Sequence, residues 1–357
     1  MYVENLIPGS DPIPVAWGWL KFFLLLTFIF HLLFMNTMLG TAFIALANSF
    51  KKSKTALSVT KKVSSKLPYV IAFTINTGVA PLLFLQVLYG SFIYVSSVLM
   101  AVYWLSILLL LLLGYYSAYM YDFGFNRLGS WRMLFIAITV INLMIIGFFF
   151  TNNATLMLHP DQWSRYFDRP FGTLLNLTDP TLWPRYLHFM VASFAVGGLF
   201  IAIIGTLQRN KGLEKADREI TLGMKWFSHA TLLQIFIGLW FFITVPKNIM
   251  LLFMGQNILY TSMFIIGIGL SFLTVIMGYR KKVLASTVSM LLTIVLMTLT
   301  RDFLRTAYLN EHFHISKLPV IPQYSPMIVF IVSLVAGLAM VVLMLRWAHQ
   351  SIKKVNS

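Results

Sequence analysis

The chain has 357 residues, of which 59% are hydrophobic and only 11% are charged, and its formal net charge is +16. This apolar content exceeds what a soluble domain can bury, which excludes that class and predicts a membrane protein built of helices. The sequence has no cysteine, which excludes disulfides, iron–sulfur clusters and covalently attached haem. Any haem would therefore be held by His or Met.

Hydropathy divides the chain into nine apolar segments, each long enough to cross a bilayer. We predict an all-α, polytopic membrane helix bundle that forms one integral membrane domain over residues 1–357. The break between the second and third segments is placed near Ser96 and Ser97. The predicted spans are 18–48, 68–95, 98–121, 132–152, 183–207, 224–246, 256–278, 283–303 and 326–348.

The basic residues alternate between loops in the way that the positive-inside rule requires. An outside N-terminus places nineteen of the 27 Lys and Arg residues on the inner side, among them Lys52, Lys215, Lys353 and Lys354. We expect the N-terminus outside and the C-terminus inside, with loops 153–182 and 303–325 on the outer, periplasmic face of a bacterial inner membrane. Since these charges follow the topology, the expected partner is membrane lipid and not nucleic acid.

The ionisable residues are unevenly distributed. All eleven Asp and Glu residues are predicted to lie in loops or at helix ends, whereas His31 and His188 lie inside apolar segments. Charge is expensive in hydrocarbon, so ionisable residues within it are candidates for function. Imidazoles without carboxylates favour haem ligation and electron transfer over proton pumping or ion transport.

Two interpretations stand for each of these imidazoles. His31 is either an axial haem ligand or a neutral side chain bonded to a neighbouring helix. His188 is either a haem ligand or an interfacial histidine; small residues follow it, and the nearby Arg185 could bind a haem propionate. The neighbouring partners considered for His31 are Asn36, Asn76 and Asn142.

The other histidines are interpreted as structural or solvated. His229 lies near the inner end of the sixth span, where it could share an inner haem with His349. His159, His312 and His314 lie in outer loops, where solvation is expected, although they could also line a quinone headgroup site.

Several segments, taken in order, resemble subunit I of the cytochrome bd quinol oxidases. Residues 26–43 are similar to its first helix, and His31 matches the histidine that binds an active-site haem. Residues 185–198 are similar to KFxHTxxxGYxxG, which gives His188 the role of low-spin haem b ligand. Residues 300–303 look like a degraded GRQPW element that contains Arg301. Met263 is the nearest substitute for the axial Met of the family. Further similar stretches are 75–90 and 260–269.

The chain also departs from this family. The glutamates of its second and third helices are absent from 83–86 and 105–113, and Thr298 replaces another. The stretch that corresponds to the quinol-binding loop of the family is short and covers only about residues 246–257. Oxygen reduction consumes protons in a dry site, so we do not expect terminal oxidase activity.

The resemblance implies a bd-like membrane cytochrome b subunit with one or two non-covalent b-type haems. It would transfer electrons between a membrane quinone and a periplasmic redox partner, such as a multihaem c-type cytochrome, alongside other subunits of a respiratory complex. The expected iron ligands are His31 and His188, and the expected cofactor-binding residues also include Met263, Arg301 and Arg185. The alternative is a haem-poor or haem-free anchor subunit. A transporter ranks last, because Gly/Pro-broken helix pairs are not evident.

Overall fold

The computed structural model describes residues 3–51, 53–168, 170–212 and 216–355. Within these ranges nine helices are long and apolar enough to cross a membrane, which confirms an all-α, polytopic bundle and defines a multi-pass membrane protein. The α-helices are α1 (Trp17–Ser49), α2 (Lys54–Ser64), α3 (Leu67–Leu99), α4 (Ala101–Phe123), α5 (Arg132–Leu158), α6 (Leu182–Arg209), α7 (Ala216–Thr244), α8 (Lys247–Leu251), α9 (Ile258–Tyr279), α10 (Val283–Leu309) and α11 (Tyr324–Val355). Only α2 and α8 are too short to span a bilayer.

Local sequence explains where several helices begin and break. The Ser53 hydroxyl accepts a hydrogen bond from the backbone N–H of Ala56 at the start of α2, and the Asn257 side chain caps α9 in the same manner. Met100 has non-helical backbone angles and separates α3 from α4. Helix α3 is also kinked at Tyr89, directly before Gly90 and Ser91.

Successive spans run in opposite directions, so the connections gather at two faces. We call the N-terminal face the one that carries the start of α1, Met100 and loops 159–181, 245–257 and 310–323. The opposite face carries α2 and the turns after α4, α6 and α9. At the N-terminal face, Val102 N–H donates to the Gly172 carbonyl at 3.0 Å, and Ile13 N–H donates to the Pro319 carbonyl at 2.8 Å.

Several predicted boundaries are wrong. The break between the second and third spans lies at Met100, not near Ser96 and Ser97. The loop predicted over 303–325 begins only after Leu309, and the loop predicted over 153–182 begins after Leu158. Charged or amide side chains interrupt the hydropathy profile at both places, although the backbone continues as helix.

Some sequence predictions fall outside the described residues. Lys52 and Lys215, which the charge distribution assigns to the inner side, belong to this group. The side chains of His349, Lys353 and Lys354 do as well.

The backbones of α1 and α6 touch where the two helices cross. A Cβ atom added at Gly40 would lie 1.8 Å from the Ser193 carbonyl oxygen, and one at Gly197 would lie 2.4 Å from the Gly40 carbonyl carbon. Both obstacles are backbone atoms, so only glycine permits this approach. The crossing fixes the positions of α1 and α6 along each other.

We predict that Gly197→Ala lowers the free energy of unfolding by about 1–3 kcal/mol, because α1 and α6 must separate to admit the methyl group. The matched control is Gly269→Ala on α9, where an added Cβ meets nothing within 4 Å. Thermal unfolding in detergent is the measurement. Equal midpoints for both variants would contradict the packing described here.

Candidate functional site

His31 lies on α1, and its ring packs against α3. Nδ1 is 3.2 Å from the Thr74 carbonyl oxygen, which makes this carbonyl the partner instead of the asparagines considered from the sequence. A Cβ atom at Gly78 would lie 2.8 Å from the ring, so glycine leaves room for it. With the proton on Nδ1, the lone pair of Nε2 remains available. Metal-binding histidines use this arrangement, in which the second nitrogen donates to a carbonyl.

His188 lies in the second turn of α6 and faces α7. Its Nδ1 is buried and has no hydrogen-bond partner among the described residues. An added Cβ at Gly238 would lie 3.2 Å from the ring. Gln234 donates to the His188 carbonyl at 2.8 Å, while its own side-chain oxygen is buried without a donor in the described chain. Since buried polar groups are normally paired, these unpartnered atoms are candidates to bind a ligand.

The two imidazoles lie at a common level. His31 precedes Gly40 by nine residues and His188 precedes Gly197 by nine residues, and the two helices run in the same direction from their crossing. At 1.5 Å per residue, both side chains lie roughly 14 Å from the crossing, toward the N-terminal face.

Arg301 on α10 joins the two histidine segments. Its guanidinium carbon lies 4.4 Å from the ring centre of Phe28, one turn before His31, and 5.9 Å from that of Phe189, next to His188. Arg301 also lies within electrostatic range of the His31 ring. Arg301 therefore lies beside both histidine segments, while the His31 ring packs against α3 and the His188 ring packs against α7.

Arg185 belongs to the same region, whereas Met263 is not joined to it. The Arg185 guanidinium stacks on Phe241 at 5.1 Å, and its Nε and Nη2 are buried without partners among the described residues. Met263 is half-buried on α9, which packs against α7 and α10. No polar contact in the described chain connects Met263 to His31 or His188.

The prediction that every carboxylate lies in a loop or at a helix end is wrong for Asp302. This residue is two turns inside α10 and is 1% exposed. Lys21 Nζ lies 2.8 Å from Asp302 Oδ2, and Arg305 Nη1 lies 3.6 Å from Oδ1. Neither carboxylate oxygen accepts a well-oriented hydrogen bond within the described chain. The Asp302–Arg305 spacing of three residues, typical of a helical pair, was the available sequence signal.

These groups form a positively charged cluster at the N-terminal end of α6 and the C-terminal end of α10. Arg185 lies within electrostatic range of Arg305, Asp179 and Tyr308, and Arg301 lies within range of Arg185. The Tyr308 hydroxyl is buried and has no partner in the described chain. Four cations face two carboxylates, which leaves an excess of two positive charges. We call it the arginine cluster: Lys21, Arg185, Arg301, Arg305, Asp179, Asp302 and Tyr308.

The expectation that His159 is solvated is wrong. His159 is half-buried, with Nε2 at 3.1 Å from Asp179 and Nδ1 at 3.6 Å from Asp161. Its ring packs edge-on against Tyr308 at 5.2 Å. The neighbouring His159 ring lowers the pKa of the Asp161 carboxyl. The loop after α5 is thereby attached to the arginine cluster.

His229 is exposed on the surface of α7, where Nδ1 lies 2.7 Å from the Lys225 carbonyl. Its ring packs edge-on against Tyr279 at the end of α9. The structural role expected for it stays a prediction.

No known protein family model matches this chain, and no curated protein matches it with significance.

We predict that Asp302→Asn lowers the free energy of unfolding by roughly 3 kcal/mol, because Lys21 and Arg305 lose their shared counter-charge. Asp217→Asn is the matched control: Asp217 lies 3.7 Å from Arg209, both side chains are exposed, and the cost should be about 0–1 kcal/mol. Denaturation followed by circular dichroism measures both. A cost for Asp302→Asn no larger than that of the control would show that the buried ion pair does not stabilise the fold.

We also predict an effect of pH through Asp161. Its pKa is lower in the folded chain than in the unfolded chain, so its contribution to stability is present above the unfolded pKa and is lost as pH falls through the folded pKa. Asp161→Asn should therefore lose less stability than the unmodified chain on acidification below about pH 4. Glu311→Gln, at an exposed position, serves as control. Identical acid dependence in all three proteins would refute the prediction.

Proposed function

We propose that this protein is a bd-like membrane cytochrome b subunit of a bacterial inner membrane. It holds one or two non-covalent b-type haems near the N-terminal face, which we place on the periplasmic side. It transfers electrons between a membrane quinone and a periplasmic redox partner, such as a multihaem c-type cytochrome, within a larger respiratory complex. Terminal oxidase activity is not part of this proposal.

The observation that carries the proposal is that Arg301 lies beside the segments of both His31 and His188, at one level of the bundle. Arg301 contacts the rings of Phe28 and Phe189, which flank the two imidazoles. The Thr74 carbonyl holds one nitrogen of His31 and leaves the other for iron. A haem b would supply one-electron transfer at this site.

Charge balance supports the same cofactor. The arginine cluster carries an excess of two positive charges, and haem b carries two propionates. The unpartnered N–H groups of Arg185 are the donors that a propionate requires. Met263 on α9 remains a candidate axial ligand.

The alternative, a haem-free anchor subunit, is favoured by α11. An 18-residue window of the apolar stretch Tyr324–Trp347 has a mean hydropathy of 3.0, and none of that window is buried within the bundle. Such a helix exposes an apolar surface along its length, against which another subunit could pack. The same helix contacts the bundle through Phe330, which packs on Phe23 and Phe84.

We predict that the purified chain contains b-type haem and that His188→Ala removes the low-spin absorption bands. His31→Ala should remove a separate spectral component or lower the haem content. Reduced-minus-oxidised spectra and a pyridine haemochrome assay measure both effects.

His229→Ala is the matched control, because this imidazole is exposed on the surface of α7 and its Nδ1 already bonds the Lys225 carbonyl. It should leave haem content and spectra unchanged. A haem content well below one per folded chain would reject the cytochrome and favour the anchor. Unchanged spectra in His188→Ala would remove His188 as a ligand.

A further inference from the structure

A hollow of about 360 Å³ lies on the opposite face of the protein, far from the arginine cluster. It is bounded by α2 on one side and by the end of α4 and the turn after it on the other. Its volume is within the range of small-molecule sites. The lining residues are Ser58, Lys61, Lys62, Ser64, Ser65, Asp122, Phe125 and Asn126.

Charges of both signs line this hollow. The exposed Lys61 and the half-buried Asp122 form no ion pair within the described chain. Lys62 donates to Glu219 and to Gln208, which leaves one of its three N–H groups. A bound group that carries both an anion and a cation would complement these walls.

The hollow lies at the membrane boundary. Helix α2 connects two spanning helices and packs through Val59 and Val63, and the Tyr121 hydroxyl of α4 donates to the Thr60 carbonyl. Along α4, an exposed apolar stripe leads to the hollow at helical spacing. Its members are Leu109, Leu113, Tyr116, Met120 and Phe123.

We propose that this hollow binds the headgroup of a zwitterionic aminophospholipid of the phosphoethanolamine type. Lys61 and the remaining N–H of Lys62 bind the phosphate, and the Asp122 carboxylate binds the ammonium group. The acyl chains lie along the exposed stripe of α4. This inference is independent of the proposed haem.

Headgroup chemistry gives the site its selectivity. A choline headgroup has no N–H to donate to Asp122 and is bulkier. A glycerol headgroup has no cation, so its phosphate faces the carboxylate without compensation. Charge-assisted hydrogen bonds are stronger than neutral ones, so loss of the ammonium contact should weaken binding by about tenfold.

The experiment is native mass spectrometry of the purified full-length chain in detergent. It is titrated with phosphatidylethanolamine, phosphatidylcholine and phosphatidylglycerol that carry the same acyl chains. We expect phosphatidylethanolamine to bind about tenfold more tightly than either of the others. Asp122→Asn should abolish its advantage over phosphatidylglycerol, and Lys61→Ala should weaken all three lipids.

Lys54→Ala is the matched control, because Lys54 is exposed on the same helix and does not line the hollow. Equal affinities for the three lipids, or equal losses in Lys54→Ala and Lys61→Ala, would overturn the proposal. If soluble phosphoethanolamine binds as tightly as phosphatidylethanolamine, the assignment of the site to a lipid is overturned. If Asp122→Asn does not fold, the three-lipid series on the unmodified chain and Lys61→Ala decides the question.

Discussion

Excess positive charge near the N-terminal face is the constraint on which the proposed chemistry depends. Asp302 is buried between Lys21 and Arg305, and it cannot neutralise Arg301 and Arg185 as well. Aromatic faces provide partial compensation through cation–π contacts. The remaining charge and the unpartnered donors call for a bound anion, because uncompensated buried charge is strongly destabilising.

The crossing of α1 and α6 at Gly40 and Gly197 fixes the relative positions of the helices that carry His31 and His188. Since Gly40 and Gly197 allow backbone contact, α1 and α6 cannot slide without collision. Equal spacing from the crossing then places His31 and His188 at one level. Arg301 reaches both segments from α10, which runs in the opposite direction. Rigid helices hold the candidate ligands, which suits a cofactor whose geometry must be maintained.

Hydropathy predicted the fold class and all nine spans, because the membrane demands long apolar segments. It misplaced the ends of helices wherever charge entered them, as at Asp302, since a charged residue lowers the profile whether or not a counter-ion neutralises it. The partner of His31 could not be predicted, because Thr74 contributes a backbone carbonyl that every residue possesses. The common level of His31 and His188 could not be predicted either. It depends on where α1 and α6 cross, and this crossing pairs glycines that are 157 positions apart in the sequence.

The two imidazoles differ in how their buried nitrogens are paired. A histidine that only packs helices together would be expected to satisfy its buried nitrogens with nearby donors or acceptors. His31 satisfies one nitrogen through a carbonyl, whereas the buried Nδ1 of His188 has no partner in the described chain. Further unpartnered atoms belong to Arg185 on α6, Gln234 on α7 and Tyr308 on α10. An anionic ligand would pair with the guanidinium and hydroxyl groups and offset the excess charge, whereas separate waters would leave that charge in place.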